Sequence, residues 1–211
     1  MRQAIDDSRL KEVETLYYKK GKSMKAVSES LGVSIDAVVY FMRKHNLKRR
    51  SFSEISRISF ANKSPSFALK SGLSTKDKEI KLLGTMLYWA EGYKGNETSG
   101  YNSVDFANSD PDMIKLFMLF LRRAFVIDEK RLRVLLYCYS NQNVPDLVKY
   151  WSILTRIPSS QFSKPYVRTD FRTDGRKMLC GMIHIRYADK KLLIEIKKLI
   201  DCYKAKYAPV V

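Results

Sequence analysis

The stretch that decides the fold is GTMLYWAEGYKG, residues 84–95, where an apolar run ends in Glu91 and Gly92 and the chain then becomes basic. As a helix ending at Glu91, this run is apolar on almost every side, which is typical of a helix buried all round. A small domain has only one core, which can cover only part of this helix. We therefore expect its remaining apolar side to contact a second copy of the chain. The residues expected at that interface are Gly84, Leu87, Tyr88 and Ala90.

Two interpretations of Glu91 stand side by side. A carboxylate at a helix end can simply be solvated. In a two-fold dimer, however, the same surface meets itself, so two Glu91 side chains would converge. Two close carboxylates repel unless a positive charge lies between or beside them. Mg²⁺ (or Mn²⁺) would supply that charge, because Mg²⁺ is commonly held by one or two carboxylates together with phosphate oxygens and water.

The composition favours a polyanionic partner. The chain has 39 Lys and Arg against 22 Asp and Glu, a formal net charge of +17. Contacts from such cations to phosphates supply most non-specific affinity for nucleic acids. No apolar stretch is long enough to span a bilayer, and no secretory signal is evident, so we expect no membrane partner and a cytoplasmic protein, nucleoid-associated if bacterial or archaeal. The three cysteines and two histidines lack the spacing of a zinc site or a disulfide framework.

Residues 1–50 predict an all-α helix-turn-helix module. In SMKAVSESLGVSIDAVVYFMRKHNL, residues 23–47, Gly32 lies at the turn and Ser34 can cap the second helix. That helix would enter the major groove of DNA with its N-terminal end first, and the basic residues after it suit phosphates. A three-helix module that binds protein is the alternative. The expected DNA contacts are Ser34, Asp36, Tyr40, Arg43, Lys44, Lys48, Arg49 and Arg50.

Residues 51–77 predict a basic linker with a candidate helix from Ser53 to Asn62. Residues 78–211 predict a second domain in which helices and strands alternate. The expected class is α+β, with a mixed or antiparallel sheet and helices on one face. Helices are expected within residues 77–91, 108–125, 144–157 and 189–204, and strands within 92–97, 101–107, 130–140, 162–171 and 178–187.

Several of the predicted strands carry cations at alternate positions, as in Arg131 with Arg133 and Arg168 with Arg172. Side chains two residues apart on a strand share one face of the sheet. Ordinary solvated strand faces would also give this pattern, but the net charge favours a cationic face that lies on DNA. The expected contacts are Lys94, Arg131, Arg133, Lys164, Arg168, Arg172 and Arg186.

LGTMLYWAEGYKG, residues 83–95, followed by VDFANSDPDMIKLFMLFLR, residues 104–122, resembles the LAGLIDADG homing-endonuclease superfamily, over about residues 78–205 and with one copy of the motif. The resemblance implies a homodimer formed through the motif helices and concave sheets that lie in the DNA major groove. It also implies a metal held at the dimer axis by the acidic residue before the final glycine, here Glu91 with Gly92. In this family a basic residue helps to activate the attacking water, but no motif marks its position. Lys177 is the candidate here, and Lys164 and Arg186 are the alternatives.

Two functions from this resemblance remain in competition. The first is a site-specific, Mg²⁺-dependent endonuclease (a hydrolase) that cuts double-stranded DNA as a homodimer. The second is a non-cleaving transcriptional regulator with the same fold. The retained acid favours cleavage, whereas a helix-turn-helix is a common device of regulators. A factor in RNA processing, or a purely structural one, is a weaker third possibility.

Overall fold

The structure, a computed structural model, describes residues 5–95, 103–169 and 178–208. They form a mixed α+β protein with eight α-helices and two small sheets in the described ranges, which confirms the predicted α+β class. The chain divides into two compact units, Met1–Ser64 and Pro65–Val211.

The first unit is helical. Its elements are a 3₁₀ turn at Asp7–Arg9, α1 at Leu10–Glu14, a π-helical turn at Thr15–Lys19, α2 at Met24–Leu31, α3 at Ile35–Lys44 and α4 at Phe52–Asn62.

The sequence sets the ends of α2 and α3. The hydroxyl groups of Ser23 and Ser34 each accept a hydrogen bond, 3.1 Å long, from the backbone amide three residues later. Each bond satisfies an amide that has no partner within the helix. Between the helices, Gly32 has a φ of +67°, a left-handed conformation that glycine adopts without steric cost. The apolar sides of the helices then meet in a small core made by Val13, Val27, Val38, Phe41 and Met42.

The predicted linker is largely structured. Its first part is α4, which begins with a capping box between Ser51 and Glu54 but buries none of its own residues. A later part is β1, Phe67–Leu69, which pairs with β3, Phe125–Ile127, in the smaller sheet. The second unit therefore begins at Pro65 and not at the predicted residue 78. A three-residue strand is too short to show the alternation from which strands are predicted.

The larger sheet belongs to the second unit and has the strand order β2-β6-β4-β5. The β2–β6 and β6–β4 pairs are antiparallel and the β4–β5 pair is parallel. The elements besides β1 and β3 are α5 at Thr75–Glu91, β2 at Val104–Asn108, α6 at Pro111–Ala124, β4 at Leu132–Tyr139, α7 at Val144–Thr155, β5 at Tyr166–Arg168, β6 at Met182–Tyr187 and α8 at Lys190–Tyr207.

One face of the larger sheet packs against the helices. Its buried side chains alternate along the strands and include Phe106, Val134 and Ile185. The four helices α5 to α8 contribute to the same core, among others with Tyr88, Phe117, Trp151 and Ile196.

The helix α5 is buried on one side only, which corrects the prediction for two of its residues. A Cβ atom at Gly84 would lie 2.2 Å from the Cβ of Phe120, so this glycine allows α5 and α6 to cross closely within one chain. Tyr88 is fully buried, and its ring stacks on that of Phe117 with 5.7 Å between centroids. Gly84 and Tyr88 therefore do not form an interface with a second chain. Ala90 is exposed and Leu87 is half-buried, so both remain available for one.

Candidate nucleic-acid interface

The larger sheet has an open face opposite the core. In β4, buried residues alternate with half-buried or exposed ones, and β6 continues this alternation. Cross-strand pairing brings Arg133 opposite Arg186, and Arg186 opposite Asp105. The open face also carries Ala107, Leu135, Tyr137, Tyr139, Met182 and His184, with Tyr166 and Arg168 on β5.

Asp105 lies at the centre of a cross-strand network on this face. One of its carboxylate oxygens, Oδ1, lies 2.8 Å from Nδ1 of His184, and the other, Oδ2, accepts a 2.8 Å hydrogen bond from Nε of Arg186. Only 10% of the Asp105 side chain is exposed, against 19% for His184 and 32% for Arg186. The acid is thus almost enclosed, while its partners reach the surface.

The network keeps Asp105 ionised. Burial by itself raises the pKa of this carboxyl, but the hydrogen bond and charge of His184 and those of Arg186 outweigh burial, so the pKa lies below its ordinary value. An ionised carboxylate only accepts hydrogen bonds, so the Nδ1 of His184 carries the proton that is shared with it. In the neutral ring, Nε2 is then the hydrogen-bond acceptor.

Aromatic rings continue the open face beyond His184. The ring of Tyr137 lies 5.0 Å from that of His184 and 5.1 Å from that of Tyr166, measured between centroids. Tyr139 stands opposite Arg168 on the neighbouring strand. Exposed rings beside cations can stack on bases or donate hydroxyl hydrogen bonds, while the cations contact phosphates.

Three of the predicted cations lie on the open face: Arg133, Arg168 and Arg186. Arg133 is exposed, and its guanidinium donates 2.7 Å bonds to the carbonyls of Lys130 and Leu132. Arg131 does not join them. It lies in a 3₁₀ turn, Glu129–Arg131, donates to the carbonyl of Ala188 and stands over the ring of the buried Tyr187. The predicted pairing of Arg131 with Arg133 on one face is wrong because the strand begins only at Leu132.

The remaining predicted cations of this unit lie elsewhere. Lys164 is exposed but precedes β5, beside a surface groove of about 710 Å³ along α7, and not on a strand. Lys94 is exposed shortly after α5, with its Nζ 3.5 Å from the carbonyl oxygen of Ala90. Arg172 and Lys177 lie outside the described residues.

Glu91 is the last residue of α5 and is exposed. Directly after it, Gly92 donates its amide to the carbonyl of Tyr88 at 2.8 Å, and a Cβ there would lie 2.4 Å from the Tyr88 ring, so a larger residue does not fit. Gly92 then pairs with Phe106, and the amide of Tyr93 donates to the carbonyl of Asp105 at 2.8 Å. The chain therefore leads from Glu91 straight onto the edge of β2, beside Asp105.

A Mg²⁺ site at Glu91 needs ligands from outside the chain. Within the described ranges, no group of three or more His, Cys, Asp and Glu residues could hold a metal ion. Asp105 is engaged on both oxygens by His184 and Arg186. Glu91 alone supplies too few ligands for Mg²⁺. Phosphate oxygens, water or a second copy of Glu91 would complete the site, and Mg²⁺ sites often combine such ligands.

In the first unit, most predicted contacts are exposed on α3 or just after it. Asp36, Tyr40 and Arg43 point outward from the helix, and Lys48 and Arg49 follow it in exposed positions. The hydroxyl of Ser34 accepts the capping bond at the start of α3. Lys44 forms a 2.6 Å ion pair with Asp7 but keeps about half of its side chain exposed.

The prediction that Arg50 contacts phosphates is corrected by its contacts within the chain. Its guanidinium stacks over the ring of Tyr17, 4.0 Å from the centroid, and donates to the carbonyl of Tyr17 and, at 3.0 Å, to that of Lys22. These carbonyls belong to the end of a helical segment and to the turn after it, where backbone oxygens lack helical partners. The charge of Arg50 is thus used within the fold.

Asp105 and His184 are the residues that the sequence interpretation missed. Each stands between apolar neighbours, in VDF and IHI, which marks a polar residue on the outer face of a half-buried strand. Their proximity depends on the register of β2 with β6, across 79 residues of chain, and no local pattern contains that register.

No family model, curated protein or solved structure matches this chain. In the described part of the chain, no helix has both the length and the apolar character needed to cross a bilayer.

Proposed function

We propose that the protein is a site-specific, Mg²⁺- or Mn²⁺-dependent endonuclease of the LAGLIDADG type that cuts double-stranded DNA as a homodimer. The observation that carries this proposal is the exposed carboxylate of Glu91, at the point where an apolar helix leads onto the edge of a basic, open sheet face. A solvated helix end explains the carboxylate but not its position beside that face.

DNA binding is supported by both units. The open face offers Arg133, Arg168 and Arg186 with neighbouring tyrosines, and α3 offers Tyr40 and Arg43 with basic residues after it. We propose that α2 and α3 act as a helix-turn-helix with α3 in the major groove, and that the open face of the sheet also binds duplex DNA. The net charge of +17 supplies the sequence-independent part of the affinity.

For cleavage, Glu91 of each protomer would hold the metal ion together with oxygens of the target phosphate. A bound Mg²⁺ polarises a phosphoryl oxygen and lowers the pKa of an attacking water. The chain's own part is to position the phosphate with the arginines of the open face and to balance the charge around it.

A non-cleaving regulator is the second candidate, and one observation favours it. Both carboxylate oxygens of Asp105, the acid on the open face beside the end of α5, are occupied by His184 and Arg186. Among the described residues, Glu91 is then the one carboxylate that each protomer can contribute to a metal site here. A protein that only binds DNA needs no metal site, so the small number of ligands favours the regulator.

Cleavage of a randomised plasmid library in Mg²⁺ or Mn²⁺ separates the two candidates. We expect specific cuts by the wild type and none by Glu91→Gln, which keeps the size of the side chain but removes the metal-binding charge. Glu79→Gln is the matched control, because Glu79 is another exposed acid on α5. It should cut like the wild type.

DNA affinity measured in the same samples makes the result unambiguous. Glu91→Gln should retain wild-type affinity for a cleaved site. If the wild type binds a duplex tightly but makes no cut in either metal, the regulator becomes the better account. Equal cutting by the wild type and Glu91→Gln would exclude Glu91 as the essential ligand.

A further inference from the structure

We propose that His184 is a catalytic residue of this nuclease, which accepts a proton through Nε2 during phosphodiester cleavage, and that Asp105 is its positioning residue. The inference rests on the proposed function and adds a proton acceptor that the sequence motif does not contain. It stands on the Asp105–His184–Arg186 network and on where the sheet places it.

The orientation of the imidazole is fixed from one side. The 2.8 Å contact of Nδ1 with the buried Asp105 carboxylate holds the proton on Nδ1 and turns Nε2 away from that carboxylate. No described residue hydrogen-bonds Nε2. A carboxylate behind an imidazole also stabilises the imidazolium that forms when Nε2 accepts a proton, as in other enzymes that pair the two groups. The His184 side chain is 19% exposed, so the imidazole is partly open to solvent.

The surroundings of His184 suit a bound phosphate. Arg186 on the same strand reaches the open face, and Arg133 stands opposite it on β4. Tyr137 lies beside the imidazole, and Tyr166 lies against Tyr137. Among the described residues, the titratable and charged groups around His184 include the Asp105 carboxylate, the guanidiniums of Arg186 and Arg133, and the phenols of Tyr137 and, one ring further away, Tyr166. A diester phosphate held by the guanidiniums would be next to Nε2.

The network also lies near the end of α5. Gly92 pairs with β2, and β2 pairs with β6, so two strand spacings, roughly 10 Å, separate the backbone after Glu91 from that of β6. Side chains and a phosphate can span such a distance. Glu91 and His184 can therefore act on the same diester from two directions.

The step is a simple hydrolysis. The oxygen of a water molecule forms a bond to phosphorus, and one of its protons passes to Nε2 of His184. The bond between phosphorus and the leaving deoxyribose oxygen breaks, and that oxygen takes its electron pair and is protonated from solvent. His184 then returns its proton to solvent, so that one water is consumed and nothing is oxidised or reduced.

The test is His184→Asn in the full-length protein. The asparagine amide nitrogen can replace Nδ1 as the donor to Asp105, but nothing replaces Nε2. We expect the single-turnover cleavage rate to fall by about 10²- to 10⁴-fold, the usual worth of a positioned general base, while DNA affinity stays the same. The pH dependence of the single-turnover rate should also differ between the wild type and the variant, because the variant lacks the group that accepts the proton.

His45→Asn is the matched control. His45 is the other histidine of the chain, and its Nε2 lies 2.9 Å from a carboxylate oxygen of Asp7 in the first unit. It should retain the wild-type rate and pH profile. Imidazole added to His184→Ala should restore part of the rate, but it should not help Glu91→Gln, whose defect lies at the metal.

The outcomes separate this proposal from the proposed function. If Glu91→Gln is inactive while His184→Asn cuts at the wild-type rate with the wild-type pH profile, the nuclease stands and the role of His184 is refuted. A loss of affinity equal to the loss of rate would also overturn it, because His184 would then only bind. If the wild type makes no cut at all, the nuclease itself fails, and His184 has no such role.

Discussion

At the scale of single residues, Asp105 shows how a basic surface can contain a buried acid. Enclosing a lone carboxylate raises its pKa and costs stability. Here the imidazole of His184 and the guanidinium of Arg186 bind one carboxylate oxygen each, and the pKa of Asp105 falls below its ordinary value. Asp105 in turn offsets the repulsion between Arg186 and Arg133, which stand opposite each other.

The lowered pKa of Asp105 predicts a pH-dependent contribution to stability. A carboxyl whose pKa is lower in the folded state stabilises the fold fully above its unfolded pKa, about 3.9, and loses this contribution as the pH falls through the folded value. Asp105→Asn should lower the free energy of unfolding by about 1–3 kcal/mol at pH 7, because two partly buried donors lose a charged partner.

Urea unfolding of the wild type and Asp105→Asn between pH 7 and pH 2.5 tests this prediction. The difference in unfolding free energy between the two proteins should begin to shrink below about pH 4, where Asp105 of the unfolded wild type takes up a proton, and should be lost as the pH falls through the lower pKa of the folded state. Asp36→Asn, at an exposed position of α3, should stay close to the wild type throughout. A difference that is constant down to pH 2.5 would show that the charge of Asp105 contributes nothing.

At the scale of elements, local signals predicted the helices well because their causes are local. Ser34 caps α3, as the sequence predicts, and Asp110 caps α6 with Pro111 in its first turn. Of the three three-residue strands in the described ranges, β5 lies within a predicted strand, whereas β1 and β3 were not predicted, because so few residues show no periodicity of their own. The sequence also did not predict which side of α5 faces inward, because apolar residues occur on several sides of the helix. The inward side is set by the close contact of Gly84 with Phe120 on α6, and no local pattern contains that contact.

The adjacent Arg49 and Arg50 also have roles that the local sequence does not distinguish, and this difference gives a prediction. In sequence both belong to one basic run after α3, yet Arg49 is exposed and Arg50 stacks on Tyr17 and binds backbone carbonyls of the preceding helical segment. Arg50→Ala should destabilise the first unit by about 1–3 kcal/mol, because it leaves those carbonyls without a charged donor. Arg49→Ala should leave stability within about 0.5 kcal/mol of the wild type and weaken DNA binding instead.

Thermal unfolding and DNA titration of the same three proteins check this contrast. Arg50→Lys separates charge from geometry: it keeps the charge but loses the planar fork, so it should be destabilised nearly as much as Arg50→Ala. Equal stability of Arg49→Ala and Arg50→Ala would mean that the carbonyl contacts of Arg50 are unimportant.

At the scale of the whole molecule, one side of α5 packs against the core of its own chain and the other side is exposed to solvent. Leu83, Met86 and Ala90 follow the i, i+3, i+7 spacing of an apolar stripe, and Leu87 beside them packs partly against the core. Leu83 is 54% exposed. An apolar stripe that ends at Glu91 supports the proposal that two protomers meet along α5, although the stripe differs from the one first predicted because Gly84 and Tyr88 face inward.

The outward stripe predicts that Leu83→Glu will separate the dimer. Because the interface would be two-fold, the change occurs twice; each loss of a buried leucine costs about 1.5–3 kcal/mol, so the dimer should weaken on the order of 100-fold or more. Sedimentation equilibrium over a range of concentrations measures this effect directly. Ile153→Glu on α7, at a residue that is 70% exposed, is the matched apolar-to-acidic control and should remain dimeric.

The same variant links assembly to activity. Because Leu83 points outward, Leu83→Glu should fold with wild-type stability, but it should lose cleavage in parallel with dimerisation, since a metal held by two Glu91 carboxylates cannot form in a monomer. A wild type that stays monomeric at tens of micromolar and still cuts DNA would refute the shared site. A monomeric variant that cuts as fast as the dimer would require Glu91 to work with the DNA phosphates alone.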